Sequence, residues 1–96
     1  MTIHEVRNAM SDRKICVLIP TYNNEKTLKR VIDGVLDYTQ NIIVVNDGFT
    51  DSTLSILRDY RQISIINLPK NRGKGNALKI GFRKALELGF DFAIAI

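Results

Sequence analysis

The chain has 96 residues, of which 45% are hydrophobic, and a formal net charge of +4 at pH 7. This length suits one small domain and excludes a second core, and no apolar stretch approaches the roughly 20 residues of a membrane span. The single cysteine, Cys16, excludes an internal disulfide, and its apolar surroundings predict a buried core thiol.

Four short apolar runs predict four strands that are buried on both faces. These runs are Lys14–Pro20, Asn41–Asn46, Ile63–Leu68 and Phe90–Ile96. The preceding residues, Met1–Arg13, form either an N-terminal tail or a short helix, and they are too polar and too mixed in charge for a secretory signal. A cytoplasmic location is therefore expected.

Apolar residues with helical spacing predict a helix in each of the first two intervals between these strands. The first helix runs from about Glu25 to Asp37. The second is shorter and is capped by Asp51 or Ser52. Its apolar positions are Leu54, Leu57 and Tyr60.

The third interval predicts a helix with a stripe of small residues. Ala77, Gly81 and Ala85 recur every four residues, which lets the helix lie close to the sheet. Gly89 supplies the left-handed position that ends the helix.

Alternation of strands and helices predicts parallel strands with right-handed crossovers, hence an α/β fold with a doubly wound, Rossmann-like sheet. The strand order 3-2-1-4 is expected, because the two halves wind outward from the first strand. The order then reverses between strands one and four, so that Tyr22 and the last residues of the chain flank one crevice. Residues 14–96 make up this domain.

The three loops that follow strands lie at one edge of such a sheet. They are Pro20–Glu25, Asn46–Asp51 and Pro69–Gly75, and they hold nearly all of the unusual polar residues. A domain with a purely structural role is not expected to concentrate its polar residues at one edge of the sheet. The sequence therefore predicts a ligand site there.

Asp47 follows a buried strand directly and precedes Gly48. Its carboxylate is placed to accept hydrogen bonds from ring N–H groups or sugar hydroxyls. The alternative is a cap on the next helix, but Asp51 and Ser52 are already placed for capping. Gly48 allows a backbone turn that a side chain would obstruct.

The loop after the first strand combines a stacking surface with hydrogen-bonding groups, which is what recognition of a base requires. Tyr22 offers the surface, and Asn23, Asn24 and Glu25 offer donors and acceptors at the start of a helix. The plain alternative is a helix cap by Asn23 or Asn24, and both interpretations can hold together.

Arg72 and Lys74 stand among glycines at the start of the third helix, where cations and free N–H groups suit phosphate. The alternative is a solvated basic turn. The pattern is neither Gly-x-Gly-x-x-Gly after the first strand nor Gly-x-x-x-x-Gly-Lys-[Ser/Thr], which excludes a dinucleotide-binding motif and a P-loop.

Eight of the 14 Lys and Arg residues lie between Arg58 and Lys84, which indicates an anionic partner. Aromatic residues make up only 7% of the chain and are not interleaved with the basic ones, so nucleic acid is not expected. A phosphorylated small molecule or an acidic membrane surface fits better.

Three segments together resemble the first half of family 2 glycosyltransferases, including dolichyl-phosphate-mannose-synthase-like and bacterial cell-surface enzymes. They are residues 17–25 with IPTYNNE, residues 44–52 with VVNDGFTDS and residues 71–77 with NRGKGNA. The resemblance covers roughly residues 14–96. It implies the N-terminal half of a GT-A fold, and a hexosyltransferase that makes a cell-envelope polysaccharide or a glycolipid from a UDP- or GDP-linked sugar.

In the family, residues of these three motifs bind the donor nucleotide. The resemblance implies that Asp47 holds the base and that the stretch around Arg72, Gly73 and Lys74 closes over the nucleotide. The full set of implied nucleotide-binding residues is Pro20, Thr21, Tyr22, Asn24, Glu25, Asp47, Gly48, Arg72 and Lys74.

The chain departs from the family pattern at two positions. Many relatives have Tyr-Asn-Glu, whereas here Asn24 precedes Glu25, which leaves open which of the two meets the ribose. Many relatives also have Ser where this chain has Phe49, which puts a hydroxyl contact there in doubt.

In the family, a strand like Phe90–Ile96 leads into an Asp-x-Asp motif that binds Mg²⁺ or Mn²⁺ across the diphosphate, and the general base follows later. The resemblance thus implies a metal-dependent enzyme at full length. This chain is expected to end before the motif, to hold no metal and no catalytic residue, and to be inactive alone. Self-association through the open edge of the fourth strand is also expected.

Two other functions compete with a glycosyltransferase. A flavodoxin-like regulatory or interaction module, such as a phosphate receiver, would need clustered acids after the first strand, where Pro20–Tyr22 stands. A sugar-phosphate nucleotidyltransferase would need a glycine-rich loop with Arg at the same place, and this chain has none there.

Overall fold

The computed structural model describes residues 1–48 and 51–96, without the side chain of Asp51. Phe49, where a hydroxyl contact was in doubt, lies outside the described residues. The side chain of Asp51, one of the two predicted caps of the second helix, lies outside them as well. The elements in chain order are α1 (Ile3–Asp12), β1 (Ile15–Thr21), α2 (Glu25–Leu36), β2 (Ile42–Asp47), α3 (Asp51–Leu57), β3 (Ser64–Leu68), α4 (Lys74–Glu87) and β4 (Phe92–Ala95). Of the two alternatives for the N-terminal residues, the structure has the helix.

The four strands form one parallel sheet in the order β3-β2-β1-β4, which confirms the predicted topology. The register aligns the polar ends of three strands, since Thr21 lies opposite Asn46 and Asn46 lies opposite Asn67. All carboxyl ends therefore meet at one edge of the sheet.

Helices cover both faces of the central strands. On one face, side chains of α1, α2 and α3 such as Met10, Leu28 and Leu57 pack against alternate residues of β1 and β2. On the other face, α4 packs against the remaining alternate residues, which include a buried Cys16. This alternation of contacts explains why β1 and β2 are apolar throughout.

Helix α4 lies very close to the sheet because its inner face carries small residues. Ala77, Gly81 and Ala85 are all buried, as the spacing predicted. A β-carbon at Gly81 would lie only 2.2 Å from Cδ1 of Leu18. The helix is therefore seated on β1 at a distance that only glycine permits at this position.

Gly89 ends α4 through a Schellman motif, with φ at 83°. The Gly89 N–H donates to the carbonyl of Leu86 at 3.1 Å, and the Phe90 N–H donates to the carbonyl of Ala85 at 3.0 Å. Phe90 thus belongs to the cap of the helix, and β4 begins at Phe92, two residues later than predicted.

The prediction that all four strands are buried on both faces is wrong for the two outer strands. Phe92 and Ile94 of β4 are 61% and 49% exposed, because among the described residues no helix covers the side of β4 that carries them. β3 is half-buried along most of its length, and it lies at the edge of the sheet, where it pairs with β2 on one side. Tyr60, which was assigned to the stripe of α3, lies beyond its end but is still buried.

Tyr60 connects α2 to the segment after α3 through a hydrogen bond. Its hydroxyl donates to Oδ1 of Asp33 at 2.6 Å, and Lys29 Nζ donates to Oδ2 of the same carboxylate at 2.6 Å. These bonds, from Lys29 first and Tyr60 second, lower the pKa of Asp33. Burial, and then the bond to Asp33, raise the pKa of Tyr60.

Replacing Tyr60 with Phe is expected to lower the free energy of unfolding by about 1 kcal/mol at neutral pH, because one hydrogen bond is lost. Because the folded pKa is raised, the contribution of the Tyr60 hydroxyl to the free energy of unfolding is full below its unfolded pKa and is lost as pH rises through its folded pKa. The stability difference between wild type and Tyr60→Phe should therefore narrow above about pH 10. Urea unfolding of both proteins at neutral pH and above about pH 10 measures this difference. Tyr38→Phe is the control, since Tyr38 is exposed. A deficit that stays constant with pH would contradict the assignment.

Candidate functional site

A cavity of about 370 Å³ opens where β1 and β2 end and α4 begins. Its walls come from the loop after β1, the end of β2, the loop before α4 and the first turn of α4. The lining residues are Pro20, Thr21, Tyr22, Asn24, Asp47, Asn71, Gly73, Lys74 and Ala77. The cavity holds residues of all three motifs that the sequence singled out.

Six of the nine predicted site residues line this cavity, and three do not. The three are Glu25, Gly48 and Arg72. Glu25 is the first residue of α2 and is exposed. Arg72 lines a neighbouring cavity together with Lys70, on the other side of the loop. The cation at the main cavity is therefore Lys74.

The cavity lies between the ends of β1 and β2 and the first turn of α4, and not between β1 and β4, where the reversal of strand order predicted it. No residue of β4 lines it. The physical reason is that α4 crosses over both β1 and β2 and brings its first turn to the ends of these strands.

Of the other lining residues, Gly73 was expected to close over the nucleotide together with Arg72 and Lys74, whereas Asn71 and Ala77 had no ligand role of their own in the sequence. Asn71 and Gly73 lie within the third motif, so the motif contained the signal. Ala77 is on the buried stripe of α4, one turn after the start of the helix. Ala77 follows Lys74 by three residues, so the two lie on the same side of the helix. This spacing could have placed Ala77 at the cavity.

Asp47 is only 3% exposed, and both of its carboxylate oxygens accept hydrogen bonds from backbone amides. Oδ1 accepts from the N–H of Arg72 and Oδ2 from the N–H of Gly73, each at 3.0 Å. The carboxylate at the end of β2 thus holds the loop that leads into α4. The sequence predicted a ligand contact or a cap on α3 for this residue, and neither describes these two bonds.

The loop before α4 has further contacts that fix its shape. The Gly73 N–H also donates to Oδ1 of Asn71 at 2.9 Å, and Gly73 has φ 93° and ψ 162°. Gly48 has φ 90°, and a β-carbon there would lie 3.1 Å from the backbone nitrogen of Asn71. The prediction that a side chain at Gly48 would obstruct the backbone is confirmed.

The loop after β1 presents Tyr22 and Asn24 to the cavity. Tyr22 is 50% exposed, which leaves its ring accessible. Asn24 precedes α2 as its N-cap residue, but its Oδ1 accepts from the hydroxyl of Thr27 and makes no bond to a backbone amide. Of the two residues left open for the ribose, Asn24 lines the cavity and Glu25 does not.

Thr21 lines the cavity although it is almost entirely buried. Its hydroxyl oxygen has no hydrogen-bond partner among the described residues. Leaving such a group unpaired costs about 1–3 kcal/mol. Next to it in the sheet, the Asn46 side-chain amide donates to Oδ1 of Asn67 at 3.2 Å. The sheet therefore ends in a row of polar side chains beside the cavity.

The first turn of α4 offers positive charge at the cavity. Gly73 is its N-cap residue and contributes no side-chain cap, so the first N–H groups of the helix are left for another acceptor. Lys74 adds a full charge at the same place. Helix N-termini of this kind suit phosphate oxygens.

No three His, Cys, Asp or Glu side chains come together as a metal site among residues 1–48 and 51–96. Mg²⁺ and Mn²⁺ need several oxygen ligands, and the described residues do not assemble such a set. None of the helices in the described part of the chain combines the length and apolar character needed to cross a bilayer.

Residues 16–87 match the family model described as Glycosyl transferase family 2. A UDP-N-acetylglucosamine–dolichyl-phosphate N-acetylglucosaminyltransferase of Methanococcus voltae is 33% identical over 88% of this chain and 41% of its own length. The human dolichyl-phosphate beta-glucosyltransferase is 35% identical over 72% of this chain and 26% of its own length. The chain thus spans less than half the length of these relatives.

A solved structure with the same fold is that of glucosyl-3-phosphoglycerate synthase from Mycobacterium tuberculosis, in complex with phosphoglyceric acid. It superimposes with a TM-score of 0.64 at 29% sequence identity. The superposition covers 81% of this chain and 31% of the synthase.

Proposed function

The chain belongs to glycosyl transferase family 2, and from this membership we infer that it carries the donor-nucleotide-binding half of a sugar transferase. The whole enzyme would transfer a sugar from a nucleoside diphosphate sugar to an acceptor. The observation that supports this most is the single cavity that joins an accessible tyrosine ring, a carboxylate and the positive start of α4. A base can use the ring and the carboxylate, and a phosphate can use the positive start of the helix.

In this proposal the base stacks on Tyr22 and lies between Pro20 and Asp47. Each carboxylate oxygen has two lone pairs, so Asp47 can accept from a base N–H while it keeps its bonds to the loop. Asn24 is placed for the ribose hydroxyls. The phosphates then lie near Lys74 and the first N–H groups of α4, where the helix dipole favours negative charge.

The donor in this proposal is a UDP- or GDP-linked sugar, and the UDP in the name of the Methanococcus relative supports the first of these. For the whole enzyme we include Mg²⁺ or Mn²⁺, on the resemblance alone. A cytoplasmic location at a membrane surface agrees with the basic segment between Arg58 and Lys84. Self-association agrees with the exposed Phe92 and Ile94 on β4.

Titration calorimetry with UDP and GDP, without added metal, tests the nucleotide site. Wild type is expected to bind at least one of the two weakly, because Lys74 and the helix amides offset only part of the diphosphate charge. Tyr22→Ala should weaken binding by about 5- to 150-fold, since stacking of a base on an aromatic ring contributes about 1–3 kcal/mol.

Tyr38→Ala is a matched control for this experiment. Tyr38 is 45% exposed, close to the 50% of Tyr22, and lies outside the cavity. Its removal should leave the affinity unchanged. Folded wild-type protein that binds neither nucleotide, or equal losses in the two variants, would refute the proposed site.

A further inference from the structure

We propose that the outer face of α4 is a docking surface for an anionic lipid bilayer. The surface consists of two apolar and two basic side chains, which are Phe82, Leu86, Lys79 and Arg83. The inference gives the membrane location in the proposed function a contact surface, and it rests on the proposed function for that location alone. Its test does not involve nucleotide binding, so the two can fail separately.

The apolar half of the surface faces solvent. Phe82 and Leu86 are 42% and 76% exposed. They are four residues apart, so they are neighbours on the surface of the helix. The residues that seat α4 on the sheet are others, namely the buried Ala77, Gly81 and Ala85. Contiguous exposed apolar side chains mark interaction sites, whereas single ones do not.

The basic half of the surface borders the apolar half directly. Lys79 and Arg83 are exposed, and each lies three residues before one of the apolar pair, which makes them its neighbours on the helix. Among residues 1–48 and 51–96, neither of them forms an ion pair. The one acidic residue of α4, Glu87, pairs with Lys84 at 3.9 Å instead. The two charges are therefore left for an anionic partner.

A bilayer with anionic headgroups uses both halves of the surface at once. The apolar region below the headgroups takes up Phe82 and Leu86, while the headgroups attract Lys79 and Arg83. The two contributions add, because the binding of an interfacial helix increases with its buried apolar area and with its attraction to anionic lipids. Such a helix lies along the membrane surface and does not cross the bilayer.

Two other partners fit the surface less well. A second copy of the chain would bring the cations of both copies together if a two-fold axis passed through this surface, and like charges repel. A nucleic acid would use the cations, but Leu86, the more exposed of the apolar pair, has neither a ring to stack on a base nor a hydrogen-bonding group. The chemistry of the four side chains thus favours lipid.

Docking through this surface also fixes the position of the cavity relative to the bilayer. The first turn of α4 lines the cavity, and Phe82 follows Lys74 by eight residues, which is about 12 Å along the helix. Because the small residues of its inner face seat α4 closely on the sheet, the cavity and the docking surface belong to one packed body. A bilayer on this surface therefore lies beside the cavity.

The first experiment uses Leu86→Trp as a reporter, since the chain has no tryptophan of its own. Vesicles of equal parts phosphatidylcholine and phosphatidylserine should shift its emission to shorter wavelength and protect it from iodide, because the ring enters an apolar medium. Tyr38→Trp is the control, because Tyr38 is 45% exposed and lies outside α4. Its emission should stay unchanged.

Two results of the reporter experiment would overturn the proposal. One is an emission spectrum of Leu86→Trp that does not respond to the anionic vesicles. The other is a shift that needs no vesicles and grows with protein concentration, which would assign the surface to a second copy of the chain.

Vesicle flotation then measures what each half of the surface contributes. Wild type should bind the anionic vesicles and should not bind vesicles of phosphatidylcholine alone. Leu86→Gln should weaken binding by about tenfold, and Arg83→Gln by about fivefold. The matched controls are Ile3→Gln and Arg30→Gln, since both residues are exposed on helices of the opposite face of the sheet. These two should bind nearly as wild type does.

Binding of the wild type should also weaken as the salt concentration rises, because salt screens the attraction to the headgroups. Equal binding to the two kinds of vesicle, or equal effects of the α4 variants and their controls, would overturn the proposal. So would a single-stranded oligonucleotide that displaces the vesicles and binds Leu86→Gln as tightly as wild type, since the surface would then belong to a nucleic acid.

Discussion

Replacing Gly81 with Ala should destabilise the fold by about 1–3 kcal/mol, although alanine is the better helix former. The new β-carbon would lie 2.2 Å and 2.7 Å from the two Cδ atoms of Leu18. Leu18 is completely buried in the core between the sheet and α4, so a new rotamer must fit among close-packed neighbours. Either α4 moves away from the sheet or Leu18 leaves its rotamer, and both changes cost packing energy.

Gly34→Ala is the matched control, because Gly34 is an exposed position in α2 with no atom within 4 Å of the new β-carbon. This variant should gain about 0.5–1 kcal/mol from helix propensity alone. Thermal unfolding measures both, and each kcal/mol should shift Tm by about 4–8 °C in a domain of this size. Two variants that are both more stable than wild type would contradict the close seating of α4.

Replacing Gly48 with Ala should reduce both stability and nucleotide affinity. A side chain at φ 90° costs about 1–2 kcal/mol in backbone strain, and here the β-carbon also meets the backbone nitrogen of Asn71 at 3.1 Å. Since the neighbour is backbone, relief requires a shift of the loop before α4. We expect a total loss of about 2–3 kcal/mol and weaker UDP binding, because the shifted loop carries Gly73.

Gly89→Ala separates the effect of backbone strain from the effect of the contact with Asn71. Gly89 has a similar φ of 83° but open space around the new β-carbon, so strain acts there alone. Its loss should be about 1–2 kcal/mol, with UDP affinity unchanged. Urea unfolding and a UDP titration of both variants give the comparison. Equal losses of stability together with equal affinities would show that Gly48 does not press on the loop.

The central architecture could be predicted from the sequence because it depends on patterns that lie within single elements. The apolar run of β2 gave a strand buried on both faces, and the recurrence of Ala77, Gly81 and Ala85 gave a helix seated on the sheet. With these elements in place, handedness leaves few strand orders to choose from.

The apolar pattern did not predict which strands are covered. The run Phe90–Ile96 is as apolar as a buried strand, yet Phe92 and Ile94 are exposed. An apolar composition shows that a strand can be buried. Whether it is buried depends on the length and position of a helix elsewhere in the chain that covers it. Phe90 shows the same limit at the level of boundaries, because the helix cap uses it before the strand can begin.

The site could be predicted as a set of loops but not as a set of contacts. Asp47 bonds to amides about 25 residues further along, and backbone amides carry no signal in the sequence. Arg72 and Lys74 are equally basic and close in the chain, yet they line different cavities, because the turn at Gly73 sends their side chains apart. The direction of a side chain in an irregular loop depends on such backbone angles.

The separation between the cavity and β4 has a consequence for local opening of the molecule. β4 pairs with β1 across most of the length of the chain, from Ile15 to Phe92, so its attachment carries the largest loop-closure entropy in the sheet. The cavity is built from residues of β1, β2 and α4 with their loops, and none of these residues lies on β4. Fraying of the outer strand can therefore occur as a sub-global fluctuation that leaves the ligand-binding surface assembled.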